Sequence, residues 1–168
     1  MFPARAASAA IVIDLPDEAA TCRLGRRIAA VTRKGDVIAL WGDLGSGKTT
    51  LARALIRAIP VLPGSAGDDE VPSPTFTLVQ TYPRAPAEIW HFDLFRIEQA
   101  EDVYELGIEE ALDEGIALIE WPERMAALLP EERLDVKLRF PPGREGRTAI
   151  LIPGPGWEGR LKEAMGHE

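Results

Sequence analysis

The 168-residue chain has no asparagine, one cysteine, and only four lysines among its nineteen basic residues. Each shortage excludes something. With Cys22 alone, no intrachain disulfide can form, so the expected home is a reducing cytoplasm. Without asparagine, the N-K-x-D element by which phosphate-loop GTPases read guanine cannot exist. No apolar run approaches the roughly 20 residues of a membrane span. The run Ala9-Ala10-Ile11-Val12-Ile13 is too short for a secretory signal core and reads as a first strand ending against Asp14. The formal net charge is −8, which disfavours unassisted nucleic-acid binding, because phosphates are neutralised by clustered Lys and Arg. The densest basic group, Arg23, Arg26 and Arg27, reads as the solvated face of a helix. Repeats and low-complexity tracts are absent, and the length suits one domain over residues 1–168 with a sizeable core.

What is present is more specific. Gly42, Asp43, Leu44, Gly45, Ser46, Gly47, Lys48 and Thr49 fit G-x-x-x-x-G-K-[ST], a loop whose backbone N–H groups cradle a polyphosphate. Lys48 can reach the β- and γ-phosphates, and the Thr49 hydroxyl can hold Mg²⁺. The flanks agree. Asp36–Trp41 is an apolar run after a Lys34-Gly35 turn, as a buried parallel strand would be. From Thr50 onward, Leu51, Leu55 and Ile59 recur at four-residue spacing, and Pro60 and Pro63 stop the helix. That helix would aim its free N–H groups and positive dipole end at the phosphates.

Further strands are expected near residues 9–13, 75–82, 88–93, 115–120, 134–140 and 147–152, and helices near 17–33, 99–113, 122–129 and 157–165. Leu134 to Phe140 alternates as a half-exposed strand should, and 147–152 can pair with it as a hairpin across Pro141-Pro142-Gly143. The mixture predicts an α/β phosphate-loop NTPase fold: a three-layer α/β/α sandwich with a mixed sheet and a C-terminal antiparallel hairpin. Residues 60–74, rich in Pro, Gly, Ser and Asp, read as a long loop.

Two apolar strands end in acids. Gly115–Glu120 offers Glu120, which at a strand end beside a phosphate loop can hold Mg²⁺ or orient the attacking water. Glu88–Asp93 offers Asp93, which can face the same metal or the water; the alternative is an N-cap for the next segment. His91 shares the strand face of Asp93 and can hydrogen-bond near the site, though it reads more readily as a structural histidine. Thr75, in Ser73-Pro74-Thr75-Phe76-Thr77-Leu78, is a candidate γ-phosphate or Mg²⁺ sensor of switch type. Trp121 is a candidate to pack over the site, and Glu123 or Arg124 to touch nucleotide or partner. A small-molecule kinase would need an Arg-bearing lid, and none stands out; a non-hydrolysing binding module would not need both Asp93 and Glu120.

These runs together resemble the TsaE (YjeE) family, the ATPase of bacterial threonylcarbamoyladenosine tRNA modification. The resemblance covers about Leu15 to Arg147. Gly42 to Thr50 is similar to G-D-L-G-[AS]-G-K-T-T, Ser73 to Leu78 to S-P-T-[FY]-T-L, and His91 to Arg96 to H-F-D-L-Y-R. Glu105 to Ile108 resembles E-x-x-G-[IL], and Ile119 to Arg124 resembles [IV]-E-W-P-E-[RK]. Phe95 replaces the usual tyrosine, Pro72 replaces a frequent lysine, and the 60–72 loop is longer than usual. The resemblance implies ATP or ADP with Mg²⁺ as ligands. It also implies Lys48 on the phosphates, Thr49 and Glu120 on the metal, and Asp93 assisting hydrolysis. The Asp17–Gly25 segment, including Thr21, would lie near the base, with Arg147 close to the nucleotide. It further implies a TsaD–TsaB heterodimer as partner, tRNA contacted only through that complex, and no membrane.

Overall fold

The computed structural model describes residues 9–67 and 70–166. The alanine-rich start of the chain, and Asp68 and Asp69 of the expected long loop, lie outside the described residues. The chain builds seven strands: β1 Ile11–Leu15, β2 Val37–Trp41, β3 Val79–Tyr82, β4 Ile89–Asp93, β5 Ile116–Glu120, β6 Leu134–Arg139 and β7 Arg147–Pro153. They form one sheet in the order β1-β7-β6-β2-β5-β4-β3. The central pairings β6–β2, β2–β5 and β5–β4 are parallel. The flanking pairings β1–β7, β7–β6 and β4–β3 are antiparallel. The central strands β2 and β5 are buried at every residue, which explains why they read as unbroken apolar runs rather than alternating ones.

The helices are α1 Glu18–Ala30, α2 Lys48–Ala58, α3 Ile108–Glu114 and α4 Glu158–Gly166. Ile38, Leu40, Leu118, Val136 and Leu151 on one sheet face pack with Leu24 and Ile28 of α1, Leu51 and Leu55 of α2, and Leu161 of α4. Val37, Ala117, Ile119 and Phe92 on the other face pack with Val103, Ile108, Ala111 and Met125. The result is the expected three-layer α/β/α sandwich with a mixed sheet and a β6–β7 hairpin.

The structure corrects several element boundaries. Residues 75–77 form a turn, not the start of a strand, and Leu78 holds φ +68; its N–H bonds back to the Pro74 carbonyl at 2.8 Å. The expected helix over 99–113 is broken in two. A 3-10 turn at Ala100–Tyr104, opened by a Gln99/Asp102 capping box, gives way to α3 at Gly107. Gly107 holds φ +87, and a Cβ there would sit 2.8 Å from the Trp90 ring, so neither helix continuation nor a larger residue fits. Residues 122–128 are 3-10 rather than α, kinked at Ala126. The first strand runs two residues further than 13: Asp14 pairs in register with Thr148 while its side chain faces outward to Arg144 Nη2 at 2.7 Å. In β6, Asp135 is buried instead of exposed, because its Oδ1 accepts from Trp41 Nε1 at 2.8 Å and from Arg133 Nε at 2.7 Å. The 60–74 loop is pinned in part: Val61 bridges Arg84, and Arg53 Nε donates to the Val71 carbonyl at 2.7 Å.

Candidate functional site

The site lies where β2, β4 and β5 end beside the N-terminus of α2. Gly42 leaves β2 at φ +149, and a Cβ on it would lie 2.4 Å from Ser46 Oγ and 2.8 Å from the Leu138 carbonyl oxygen, so the loop closes only around glycine. Gly47 caps α2 from the left-handed region with no side-chain bond to the helix, and the first turn of α2 contains no acidic residue. The first N–H groups of a helix have no acceptor within it. Here nothing from the side chains of the cap neutralises them, so the positive dipole end faces the loop mouth.

Lys48 opens α2 and is 5% exposed. Its Nζ donates to the carbonyls of Gly42 at 2.6 Å and Asp43 at 2.9 Å, and sits 4.1 Å from the Trp121 ring centroid. Burial holds its pKa below the usual lysine value, while Glu120, Glu123, Asp93 and Asp43 pull it back up. Trp121 reaches this position through a left-handed backbone conformation just after β5, and the Phe95 ring packs against it at 4.9 Å.

Glu120 ends β5 and Asp93 ends β4, directly opposite one another in the parallel pairing. Both are buried. Glu120 Oε1 accepts from Thr49 Oγ1 at 2.9 Å, and its Oε2 meets His91 Nε2 at 2.7 Å. Asp93 Oδ1 accepts from the Phe95 N–H at 3.0 Å, a local side-chain turn rather than a helix cap, since the next helical turn starts only at Ala100. Thr75 Oγ1 makes a long contact of 3.5 Å to Asp93 Oδ2 and bonds Ser73 Oγ at 2.8 Å. Burial raises the Asp93 pKa; the nearby Glu120 charge adds to that, and the Phe95 N–H, His91 and Lys48 oppose it.

Thus Lys48, Thr49, Thr75, Asp93, Glu120 and Trp121 form one cluster through these contacts. Thr21, Asp17 and Arg147 make none of these contacts. Thr21 is buried against α2, its Cγ2 3.9 Å from where a Cβ of Gly47 would stand. Arg147 Nη2 donates to the Gly45 carbonyl at 3.1 Å while its guanidinium covers the Phe140 ring at 4.1 Å. Asp17 is exposed and caps α1, accepting from the Ala20 N–H at 2.8 Å. Leu44 is exposed at the loop tip, and Ser46 is buried beneath it. Thr50 lines a cleft of about 360 Å³ between α1 and α2 with Cys22, Arg53 and Arg57. Glu123 is exposed and acts on Lys48 through its charge. His91 hydrogen-bonds beside this cluster, as its place on the Asp93 strand face allows. Its i−2 spacing from Asp93 was visible, but its bond to Glu120 depends on β4 lying beside β5.

Among the described residues, no group of three His, Cys, Asp or Glu side chains converges as a metal cluster. The arrangement instead offers one hydroxyl and one carboxylate side by side, with a second acid adjacent. No helix among the described residues is long and apolar enough to cross a membrane.

The model of the family described as "Threonylcarbamoyl adenosine biosynthesis protein TsaE" matches residues 15–148. The chain belongs to the TsaE family. Every cluster residue lies inside the matched span. Curated TsaE relatives described as tRNA threonylcarbamoyladenosine biosynthesis proteins include one from Rickettsia felis, 38% identical over 74% of this chain and 70% of the relative. The TsaE of Haemophilus influenzae is 38% identical over 75% of this chain and 80% of its own. That of Nostoc is 36% identical over 84% and 85%. The solved structure of Bacillus subtilis YdiB superposes with a TM-score of 0.70 over 94% of this chain and 95% of that one, at 24% identity, and so shares the fold.

Proposed function

We propose that this TsaE-family chain is an ATP hydrolase of tRNA threonylcarbamoyladenosine biosynthesis. Its hydrolysis supports turnover of a TsaD–TsaB pair, and it does not itself transfer the threonylcarbamoyl group. The reading rests above all on the Thr49–Glu120 contact of 2.9 Å beside an uncapped helix N-terminus. Mg²⁺ in nucleotide sites takes hard oxygens from one or two side chains plus substrate phosphates, so this donor set fits a Mg²⁺–nucleotide. Such a bound ion supplies neutralisation of the charge that builds on the phosphate oxygens.

The chain's own residues then divide the work. Thr49 and Glu120 hold the ion. Lys48, now on the Gly42 and Asp43 carbonyls, exchanges them for β- and γ-phosphate oxygens, and Trp121 keeps its ammonium in place by a cation–π contact. The amides from Leu44 to Thr50 bind phosphate. Asp93, buried beside Glu120, orients the attacking water or stands on the metal's side. Thr75 responds to the γ-phosphate. Asp17 and Thr21 lie near the base, Arg147 lies close to the nucleotide, and Glu123 tunes Lys48 from the rim. The absence of asparagine favours adenine over a guanine reader. With a net charge of −8, contact with tRNA falls to the partner complex, and a cytoplasmic location accords with that role.

The test measures phosphate release with and without a TsaD–TsaB pair, alongside tRNA modification followed over several turnovers. Slow release alone, at least ten-fold stimulation by the pair, and modification that stalls without this chain are expected. Full-rate release unchanged by the pair would sink the partner role.

A further inference from the structure

We propose that His91 is a positioning residue for the metal site: its Nε2–H holds Glu120 Oε2, so that Oε1 is presented, with Thr49, to a divalent cation. The inference rests on the metal-site reading above and adds a residue to it. Three observations carry it. First, the Nε2–Oε2 separation is 2.7 Å, and His91 and Glu120 are 0% and 2% exposed. A buried bond of that length fixes the carboxylate's rotation, leaving one defined oxygen for a ligand. Second, the other carboxylate oxygen is already engaged by Thr49 Oγ1 at 2.9 Å, so the two oxygens have divided roles: one held from the sheet, one turned to α2 and the phosphate loop. Third, His91 Nδ1 is buried and has no hydrogen-bond partner among the described residues. A hydrogen on Nδ1 would be a buried donor facing no acceptor, whereas a bare ring nitrogen leaves only a lone pair unmet. The surroundings therefore favour the tautomer whose hydrogen sits on Nε2, which is the one that can donate to Glu120.

Sheet geometry makes the arrangement possible. His91 pairs in register with Leu118 on β5, and Glu120 lies two residues on, on the same face. The imidazole thus reaches along the pleat to a carboxylate one repeat away, while Asp93 stands directly across from Glu120. His91 touches no cation itself; it acts through Glu120, as outer-shell partners do in other metal sites.

The experiment compares the wild-type chain with His91→Gln, His91→Leu and Glu120→Gln. Mn²⁺ binding in the presence of ADP is followed by electron paramagnetic resonance, and ADP binding is measured in EDTA. Circular dichroism checks the fold of each variant. Mn²⁺ affinity is expected to fall by about ten- to hundred-fold in His91→Leu, the range for losing an outer-shell partner. His91→Gln, whose amide N–H can donate in the same direction, is expected to recover most of that loss. ADP binding without metal is expected to stay within about two-fold, since phosphate binding by the loop does not pass through Glu120. A folded His91→Leu chain with wild-type Mn²⁺ affinity, beside a weakened Glu120→Gln chain, overturns the role of His91 and leaves the metal site standing. Unchanged Mn²⁺ affinity in Glu120→Gln overturns the metal-site reading and this inference with it. Should the leucine variant not fold, long-range ¹H–¹⁵N spectra of the wild-type imidazole decide the matter. An Nε2–H signal displaced by Glu120→Gln is expected, and an Nδ1–H tautomer overturns the proposal.

Discussion

Helices α1 and α2 pack side by side on one face of the sheet, yet their N-termini are built in opposite ways. Asp17 caps α1 through the Ala20 N–H at 2.8 Å, and Glu18 adds negative charge to the first turn. α2 starts from Gly47 with no side-chain cap, no acid in its first turn, and a lysine as its first residue. The first design spends the helix's free N–H groups and dipole on the chain's own stability. The second leaves them unspent, at a cost of roughly a few tenths of a kcal/mol for glycine in place of a capping side chain, and keeps the end open to an external anion. The contrast fits the proposed site: an end that a capping side chain does not occupy is available to an anion.

Breaking the open end should have the largest effect. Lys48→Ala is expected to lower ATP hydrolysis and support of tRNA modification by about a thousand-fold, the scale of removing a phosphate-directed charge at a phosphoryl-transfer site. Its melting temperature should stay close to wild type, because Lys48 stabilises loop carbonyls rather than the core; nucleotide turnover and a thermal melt check the two halves of the statement.

Closing the open end sharpens the comparison. Thr50→Asp places in the first turn of α2 the kind of charge that α1 already has. It should stabilise the nucleotide-free protein by a few tenths of a kcal/mol and weaken ADP binding about ten-fold, since one carboxylate now competes with the phosphates for the same dipole. Calorimetric titration with ADP and a melt without it measure both; a tighter ADP complex would refute the competition.

Opening the closed end is the smallest change. Asp17→Ala is expected to cost about 1 kcal/mol, a fall of roughly 2–4 °C in melting temperature for a chain of this size. Asp17→Ser should restore the cap and the stability. A loss of nucleotide affinity that serine does not restore would show that the Asp17 carboxylate serves the base as well as the cap, as the proposed site has it.

Much of this was legible in sequence because it is local. The phosphate loop, its strand and its helix are contiguous, so glycine spacing and apolar period announce them without tertiary knowledge. The acids Glu120 and Asp93 were legible for the same reason, as the last residues of apolar runs. Other features were not. The helix expected over 99–113 breaks at Gly107 because the Trp90 ring, brought there by β4, fills the space beside it. Asp135 fits an alternating pattern as a solvent-facing residue, yet Trp41 and Arg133 close over it from β2 and from β6's own start. The stretch Thr75–Leu78 reads as strand by composition, but Leu78 holds φ +68 and its N–H turns back to the Pro74 carbonyl at 2.8 Å, so the chain turns beside the site before β3 begins.

The sequence by itself determined the fold class, the anion-binding loop and the residue types that can serve a phosphate and a hard cation. Local backbone preference and short-range hydrophobic period suffice for those. Only the tertiary structure decided which of these residues meet. Parallel pairing of β4 with β5 sets Asp93 opposite Glu120 and brings His91 within 2.7 Å of it, and α2 lowers Thr49 onto the other oxygen. These contacts join residues 29 and 71 positions apart in the chain. Their partners are chosen by strand order and register, which the burial of the whole sheet selects and no local pattern records.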